Sequence, residues 1–204
     1  YRWALPYAEC RLELVRGRGS QFDPEMVDAF LDVLADLHRQ REVCLRTAER
    51  AAALIDTRKH ELLRTREDEN RPEYEEIAAV LRDVLRNAEG VSFLTTQRRE
   101  GARFIYVVDP EEEEGWRSHI GDELFTTDYE MGETLRGVKP DVNALYADEY
   151  GIWIPAKAPL RDPQGKIVGL VSAVSPVRPA RRTDESLSSP GSMESLLGEV
   201  SKRI

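Results

Sequence analysis

Four runs of β-branched and aromatic residues decide the fold of this chain: residues 91–97 (VSFLTTQ), 103–109 (RFIYVVD), 151–160 (GIWIPAKAPL) and 166–175 (KIVGLVSAVS). The first two are joined by residues 98–102, and the last two by a polar turn that ends in Gly165. Such runs with short polar connections predict two antiparallel hairpins. Pro155 and Pro159 inside the third run predict an edge position or a bulge.

Helical patterns precede these runs. A first helix is predicted from Pro6 to about Gly17, and Asp23 is placed to cap a second helix that Pro24 opens. No glycine or proline occurs between Glu25 and Arg71, so the second helix is predicted to continue to about Arg66. A further amphipathic helix is predicted over residues 73–87.

The long helix carries an apolar stripe at alternating three- and four-residue spacing, which Arg41 interrupts: Leu37, Cys44, Ala48, Ala51 and Ile55. The spacing suits a two-stranded coiled coil, and equally a single helix that packs on its own domain. Both interpretations stay open for the first half of the helix. The alanine-rich second half is predicted to pack on the domain.

Together these elements predict an α+β fold, with long N-terminal helices followed by an antiparallel sheet of about five strands. One sheet face would pack on the helices. The other face would be covered by residues 110–142 and would be the place for a ligand cavity. Within this excursion and just after it, a short helix is predicted near residues 129–135 and a short strand at 143–146, while residues 177–204 have the composition of a linker and tail.

Composition excludes several function classes. The 204 residues include 29 Lys and Arg against 38 Asp and Glu, giving a formal net charge of −9. Binding to nucleic acid or to an anionic membrane surface requires a basic face, and none is evident. No apolar run reaches the roughly 20 residues of a membrane span, and we expect no signal peptide, because residues 1–3 (YRW) do not open a basic and then apolar segment. We expect a cytoplasmic location, and the absence of an initial Met indicates a piece of a larger polypeptide.

Catalytic and metal-binding motifs are missing. Cys10 and Cys44 are expected to be reduced thiols, and His38, His60 and His119 are expected to be ordinary surface histidines, because no metal-ligand spacing links them. The acidic run at residues 111–114 lacks the alternating pattern of a calcium loop and is expected to be solvated. We therefore expect no metal, no cofactor and no catalytic residue in this segment.

The start of the chain resembles the C-terminal end of an HD-GYP domain, a family of cyclic di-guanylate phosphodiesterases. The resemblance rests on GSQFDP at residues 19–24 and VDAFL at residues 27–31, and it covers only about the first 35 residues. The family usually has threonine where Ser20 stands. Its metal ligands, its H-D pair and its G-Y-P loop lie upstream of this stretch, so the resemblance assigns no catalytic residue here.

From about Ala48 to Ser175 the chain resembles a PAS-like Cache sensor domain. The matching phrases are RFIYVVD at 103–109, YADEYGIW at 146–153 and APLRDPQGKIVG at 158–169. In the last phrase, a tight turn ends in Gly165 and the returning strand brings Gly169 into a close approach. Such modules occur beside cyclic di-guanylate output domains in bacterial signalling proteins. The resemblances divide the chain into HD-GYP-like helices (1–36), a connecting helix (37–70), a sensor domain (71–176) and a tail (177–204).

The expected function is a non-catalytic sensor module that binds a small ligand and relays the signal through the long helix, in a homodimer, to a phosphodiesterase output. Seven residues are candidates for ligand binding: Tyr106, Asp109, Trp116, Tyr146, Asp148, Trp153 and Lys157. Each also has a structural interpretation: packing for the aromatic residues, a turn for Asp109, and solvent exposure for Lys157. The alternative function is a purely structural or dimerisation element of an HD-GYP phosphodiesterase.

Overall fold

A computed structural model describes residues 7–124, 134, 145–148 and 150–177 of the chain. Four α-helices precede the sheet: α1 (Tyr7–Gly17), α2 (Pro24–Leu54), α3 (Thr57–Leu62) and α4 (Pro72–Arg86). A short 3-10 helix, Arg66–Asn70, lies between α3 and α4. The five strands are β1 (Phe93–Glu100), β2 (Arg103–Val108), β3 (Tyr146–Asp148), β4 (Gly151–Arg161) and β5 (Ile167–Pro176).

All strands pair antiparallel in the order β2-β1-β5-β4-β3, so the predicted α+β class with a five-stranded sheet is confirmed. The two predicted hairpins are present as β1–β2 and β4–β5. The third short strand lies at Tyr146–Asp148, slightly later than predicted. It pairs only with the first three residues of β4. Pro155 and Pro159 can therefore occupy β4, because no strand in the described part of the chain pairs with the outer side of β4 beyond Trp153.

The long helix ends earlier than predicted. Asp23 caps α2 as expected, since its carboxylate accepts hydrogen bonds from the N–H groups of Glu25 and Met26. The helix stops at Leu54 instead of continuing to about Arg66, and Asp56 caps a separate helix, α3. The break at this point places Ile55 in the hydrophobic core, at 7% exposure. Burial of this side chain outweighs the uniform helical propensity of the sequence.

The core lies between the helices and one face of the sheet. Cys44, Ala48 and Ala51 are fully buried on α2, which confirms that the second half of this helix packs on its own domain. Their small side chains allow α2 to lie close to β4 and β5, the strands with which it has most of its contacts. Arg41, which interrupts the apolar stripe, is also buried, and its Nη1 donates to the carbonyl oxygen of Pro155 at 2.8 Å.

Two predicted features fall largely outside the described residues. The helix expected near 129–135 has only Thr134 among them, which is helical and buried. The tail from residue 178 onward is not described. Across the described ranges, no helix combines the length and the apolar composition of a membrane span. The division at residues 36 and 37 falls within the continuous helix α2, and the proposed domain limits stay a prediction.

Candidate functional site

A cleft of about 800 Å³ lies on the sheet face opposite to α2. Alternation along the strands produces it, because successive side chains of a strand point to opposite faces. On β4, Ile154 and Ala156 are buried in the protein interior while Pro155 and Lys157 line the cleft. The sheet therefore separates the helix-packed core from the cleft.

All seven candidate residues from the sequence line this one cleft: Tyr106, Asp109, Trp116, Tyr146, Asp148, Trp153 and Lys157. They come from β2, β3, β4 and the segment that follows β2, so the tertiary fold brings together residues up to 51 positions apart in the sequence. Lys157 is only 5% exposed and interacts with another group of the chain, so the alternative interpretation, a side chain that points to solvent, is wrong. That these residues bind a ligand stays a prediction.

Asp109 combines a position in the cleft wall with a structural role. Its Oδ1 accepts the backbone N–H of Glu111 at 3.0 Å, and its Oδ2 accepts the backbone N–H of Ser118 at 2.9 Å. Burial raises the pKa of this carboxyl above its ordinary value, although the two backbone hydrogen bonds favour the ionised form. The turn interpretation of Asp109 therefore holds, and the loop it closes forms part of the wall.

A second carboxylate fixes the same loop, and the sequence did not indicate it. Glu69, in the 3-10 helix, accepts hydrogen bonds from Arg117 at 3.2 Å and from the backbone N–H of Ile120 at 2.8 Å, and it pairs with the His119 ring at 3.0 Å. Arg117 also donates to the Tyr74 hydroxyl at 3.2 Å. These contacts hold the loop after β2 against the helical layer. Because Glu69 lies in a run of charged residues, nothing in the local sequence distinguishes it.

Aromatic rings form much of the cleft wall. The Trp116 and Tyr150 rings are 4.7 Å apart, and Trp153 contacts Phe93 edge-on with centroids 5.5 Å apart. Burial raises the pKa of the Tyr106 phenol, and the negative charge of Asp109 raises it further. The pKa of Tyr146 is raised for the same first reason, its burial. Both phenols therefore stay protonated and can donate a hydrogen bond at neutral pH.

Asp148 orients the Trp153 ring. Its Oδ1 accepts the indole N–H of Trp153 at 2.8 Å and the backbone N–H groups of Tyr150 and Gly151 at 2.9 and 3.0 Å. The pKa of this carboxyl is lowered, first by the Trp153 hydrogen bond. Asp148 thus closes the turn between β3 and β4 while it sets the ring that lines the cleft.

We expect Asp148→Ala to lower the free energy of unfolding by about 1 kcal/mol, because three hydrogen bonds in an exposed turn are lost. The indole of Trp153 loses its only hydrogen bond within the described residues, so Trp fluorescence should change together with stability. Urea unfolding followed by fluorescence measures both. Asp148→Asn is the matched control, since the amide oxygen still accepts hydrogen bonds. An alanine variant with the emission and midpoint of the parent chain would contradict this role.

The floor of the cleft is polar, and its residues are not among the seven candidates predicted from the sequence. Thr95 and Gln97 of β1 and Ser172 of β5 line it, and all three are buried. The Gln97 Nε2 donates to the Thr95 Oγ1 at 2.9 Å, whereas the Gln97 Oε1 is buried with no hydrogen-bond partner in the described part of the chain. Burying an acceptor without a hydrogen bond lowers the free energy of unfolding by about 1–3 kcal/mol. The signal was available, because Phe93, Thr95 and Gln97 alternate along one strand.

The histidines differ from expectation. His60 is 1% exposed, so the predicted surface position is wrong for this residue, and its Nε2 lies 3.0 Å from the Thr96 Oγ1. The ring of His38 is stacked on Tyr7 with centroids 4.3 Å apart, and His119 is paired with Glu69. Within the described ranges, no group of three or more His, Cys, Asp or Glu side chains is arranged to hold a metal ion. Cys10 and Cys44 are thiols that are not joined in a disulfide.

No protein-family profile matches the chain, and no curated protein shows significant sequence similarity to it.

Proposed function

We propose that this segment is the regulatory sensor module of a bacterial cyclic di-guanylate signalling protein, in which a small ligand binds in the cleft and α2 relays the signal to a phosphodiesterase output. The strand order β2-β1-β5-β4-β3 is consistent with a PAS-like sheet and supports the resemblance to Cache domains. The HD-GYP-like start of the chain supports the choice of output. In this proposal the segment itself performs no turnover and acts in the cytoplasm.

One observation carries the proposal: a single cleft of about 800 Å³ with aromatic walls and a buried polar floor. Small-molecule sites are typically about 300–1,000 Å³, mostly apolar, with a few converging polar groups. The largest fully buried side chains include Gln97, and its position at a cleft floor is costly unless something pairs with it. A ligand that satisfies this amide would recover that cost.

The coupling to α2 is direct. Arg41 of α2 donates to the carbonyl oxygen of Pro155, and the Cys44 Sγ lies 3.7 Å from the carbonyl oxygen of Ile154. The neighbouring side chains of Pro155 and Lys157 line the cleft on the other face of the same strand. Because a buried hydrogen bond is short-ranged and directional, a shift of β4 on ligand binding would move α2 with it or break these contacts.

A row of exposed apolar residues favours a homodimer through α2, and with it the alternative function as a dimerisation element. Met26, Phe30 and Val33 follow one another at four- and three-residue spacing and are 70%, 49% and 38% exposed. This is the spacing of a coiled-coil seam. The row lies on the first half of α2, before the part that packs on the sheet. Dimerisation alone would leave the cleft without a role.

Thermal-shift screening of the chain against metabolites, with light scattering on the same samples, tests the proposal. We expect at least one compound to raise the melting temperature in proportion to the logarithm of its concentration above Kd. Trp153→Leu should abolish that rise, whereas Phe22→Leu, a matched change at an exposed ring outside the cleft, should retain it. A dimer that no compound stabilises would favour the structural role and reject the sensor.

A further inference from the structure

The buried floor of the cleft holds an acceptor without a donor. Gln97 is 2% exposed, and its Nε2 is used by Thr95, while its Oε1 receives no hydrogen bond within the described ranges. A ligand that placed another acceptor or an anion against the Gln97 Oε1 would form no hydrogen bond with it. The free-energy cost of burying this oxygen would then remain. The complementary group on a ligand is therefore an N–H or O–H donor.

The charges around the cleft favour a positive ligand. Among the described residues, four carboxylate side chains line it, from Asp109, Asp122, Glu123 and Asp148, and Glu123 is also paired with Arg103 at 3.7 Å. Among its described lining residues the one cationic side chain is Lys157, which is 5% exposed and interacts with another group of the chain. Asp109 and Asp122 also raise the pKa of the Tyr106 phenol beyond the effect of burial, which is what a negative potential at this wall produces.

The walls supply a surface that suits the carbon body of such a ligand. Six aromatic side chains from the described part of the chain line the cleft: Phe93, Tyr106, Trp116, Tyr146, Tyr150 and Trp153. The faces of Trp and Tyr rings attract organic cations through their quadrupole, and more strongly where water is excluded. The unpaired Gln97 acceptor, the lining carboxylates and the aromatic rings are three separate groups of atoms. All three favour the same class of ligand, an organic cation that carries an N–H donor.

We propose that the cleft binds a small organic ammonium ion whose N–H group donates to the Gln97 Oε1 and whose carbon body lies against the aromatic wall. This inference rests on the proposed sensor function and names the ligand class of the same site. It assigns Gln97 as the residue that selects the ligand's donor group, and the lining carboxylates as the source of the preference for positive charge.

Three probes that share one ring and differ in charge test the class: benzylammonium, benzyl alcohol and benzoate. Ligand-observed NMR titration of the full chain gives the affinity of each. We expect benzylammonium to bind about tenfold or more tightly than benzyl alcohol, because hydrogen bonds from charged donors are stronger than neutral ones. Benzoate should bind most weakly. Equal affinities, a preference for benzoate, or no binding of benzylammonium at millimolar concentration would overturn the proposal.

Variants of Gln97 test the assigned contact. Gln97→Leu should weaken benzylammonium binding about tenfold and leave benzyl alcohol less affected, whereas Gln97→Glu should strengthen benzylammonium binding. Gln164→Leu, the same change in the exposed β4–β5 turn, should leave all three affinities unchanged. If Gln97→Leu binds benzylammonium as tightly as the parent chain, the ligand does not donate to Gln97 and the assigned contact is wrong. The charge series on the unmodified chain remains decisive if a variant fails to fold.

The two proposals fail in different ways. If a metabolite of another charge class stabilises the chain and Trp153→Leu abolishes the effect, the sensor function stands and the ammonium class is wrong. If no compound acts through the cleft, both fail.

Discussion

Replacing Gly169 with valine is expected to lower the free energy of unfolding by about 3 kcal/mol, the upper part of the range for overpacked cores. A Cβ added at this position would lie 2.9 Å from the carbonyl oxygen of Gln97, 3.1 Å from the His60 Cε1 and 3.3 Å from the Leu160 Cδ1. The first of these is backbone in the sheet, and the other two belong to buried side chains, so none can move without disturbing the core.

Urea unfolding of the variant measures this effect, and the midpoint should fall without a change in the slope. The free energy of unfolding of Gly169→Ala should lie between the values of the parent chain and the valine variant, because alanine adds the Cβ alone. Gly115→Ala is the matched control, since a Cβ at Gly115 meets nothing within 4 Å, and it should shift stability by less than about 0.5 kcal/mol. A valine variant as stable as the Gly115→Ala chain would show that β5 does not pack closely against His60 and Leu160 at this position.

The second large effect is a loss of stability at acidic pH that depends on His60. Burial lowers the pKa of His60 to about 3, and the positive charges of Arg98 and Arg64 act in the same direction. In the unfolded chain the ring titrates near pH 6.5. Between these two values the unfolded state binds a proton that the folded state does not, so stability is retained above pH 6.5 and falls as the pH is lowered toward 3.

The expected slope is about 1.4 kcal/mol per pH unit within this window, or roughly 3 kcal/mol by pH 4. Chemical unfolding at a series of pH values measures it. His60→Gln removes the titrating ring, so the difference in unfolding free energy between the parent chain and this variant should be constant above pH 7 and should shrink as the pH falls below about 6. Parallel profiles down to pH 4 would contradict the assignment of this acid sensitivity to His60.

The two hairpins and the α+β class followed from the sequence because they depend on local patterns. Runs of β-branched and aromatic residues around a glycine-containing turn favour antiparallel pairing between segments that are close in the sequence. The close approach at Gly169 was expected for the same reason, from its position after the turn at Gly165, and the structure confirms it. The clustering of the seven candidate residues was also anticipated, although binding by them remains a prediction.

Other features needed contacts between distant segments. The end of α2 at Leu54 is set by the burial of Ile55, and the position of His60 by its contact with Thr96 on β1. Arg41 interrupts the helical stripe because its guanidinium reaches the backbone of β4, 114 residues away in the sequence. Local propensity carries no information about such partners.

The order of residues alone therefore determined the two hairpins and most helices, because a hairpin and a helical turn are each built from residues close together in the sequence. The tertiary structure decided which polar groups lose their contact with water and which of them find a partner. His60 and Gln97 are buried by segments that are distant in the sequence. The Gln97 Oε1 has no hydrogen-bond partner within the described ranges because of how β1, β5 and the cleft wall meet. The energy of a buried polar atom depends on everything packed around it, and no single stretch of sequence contains that information.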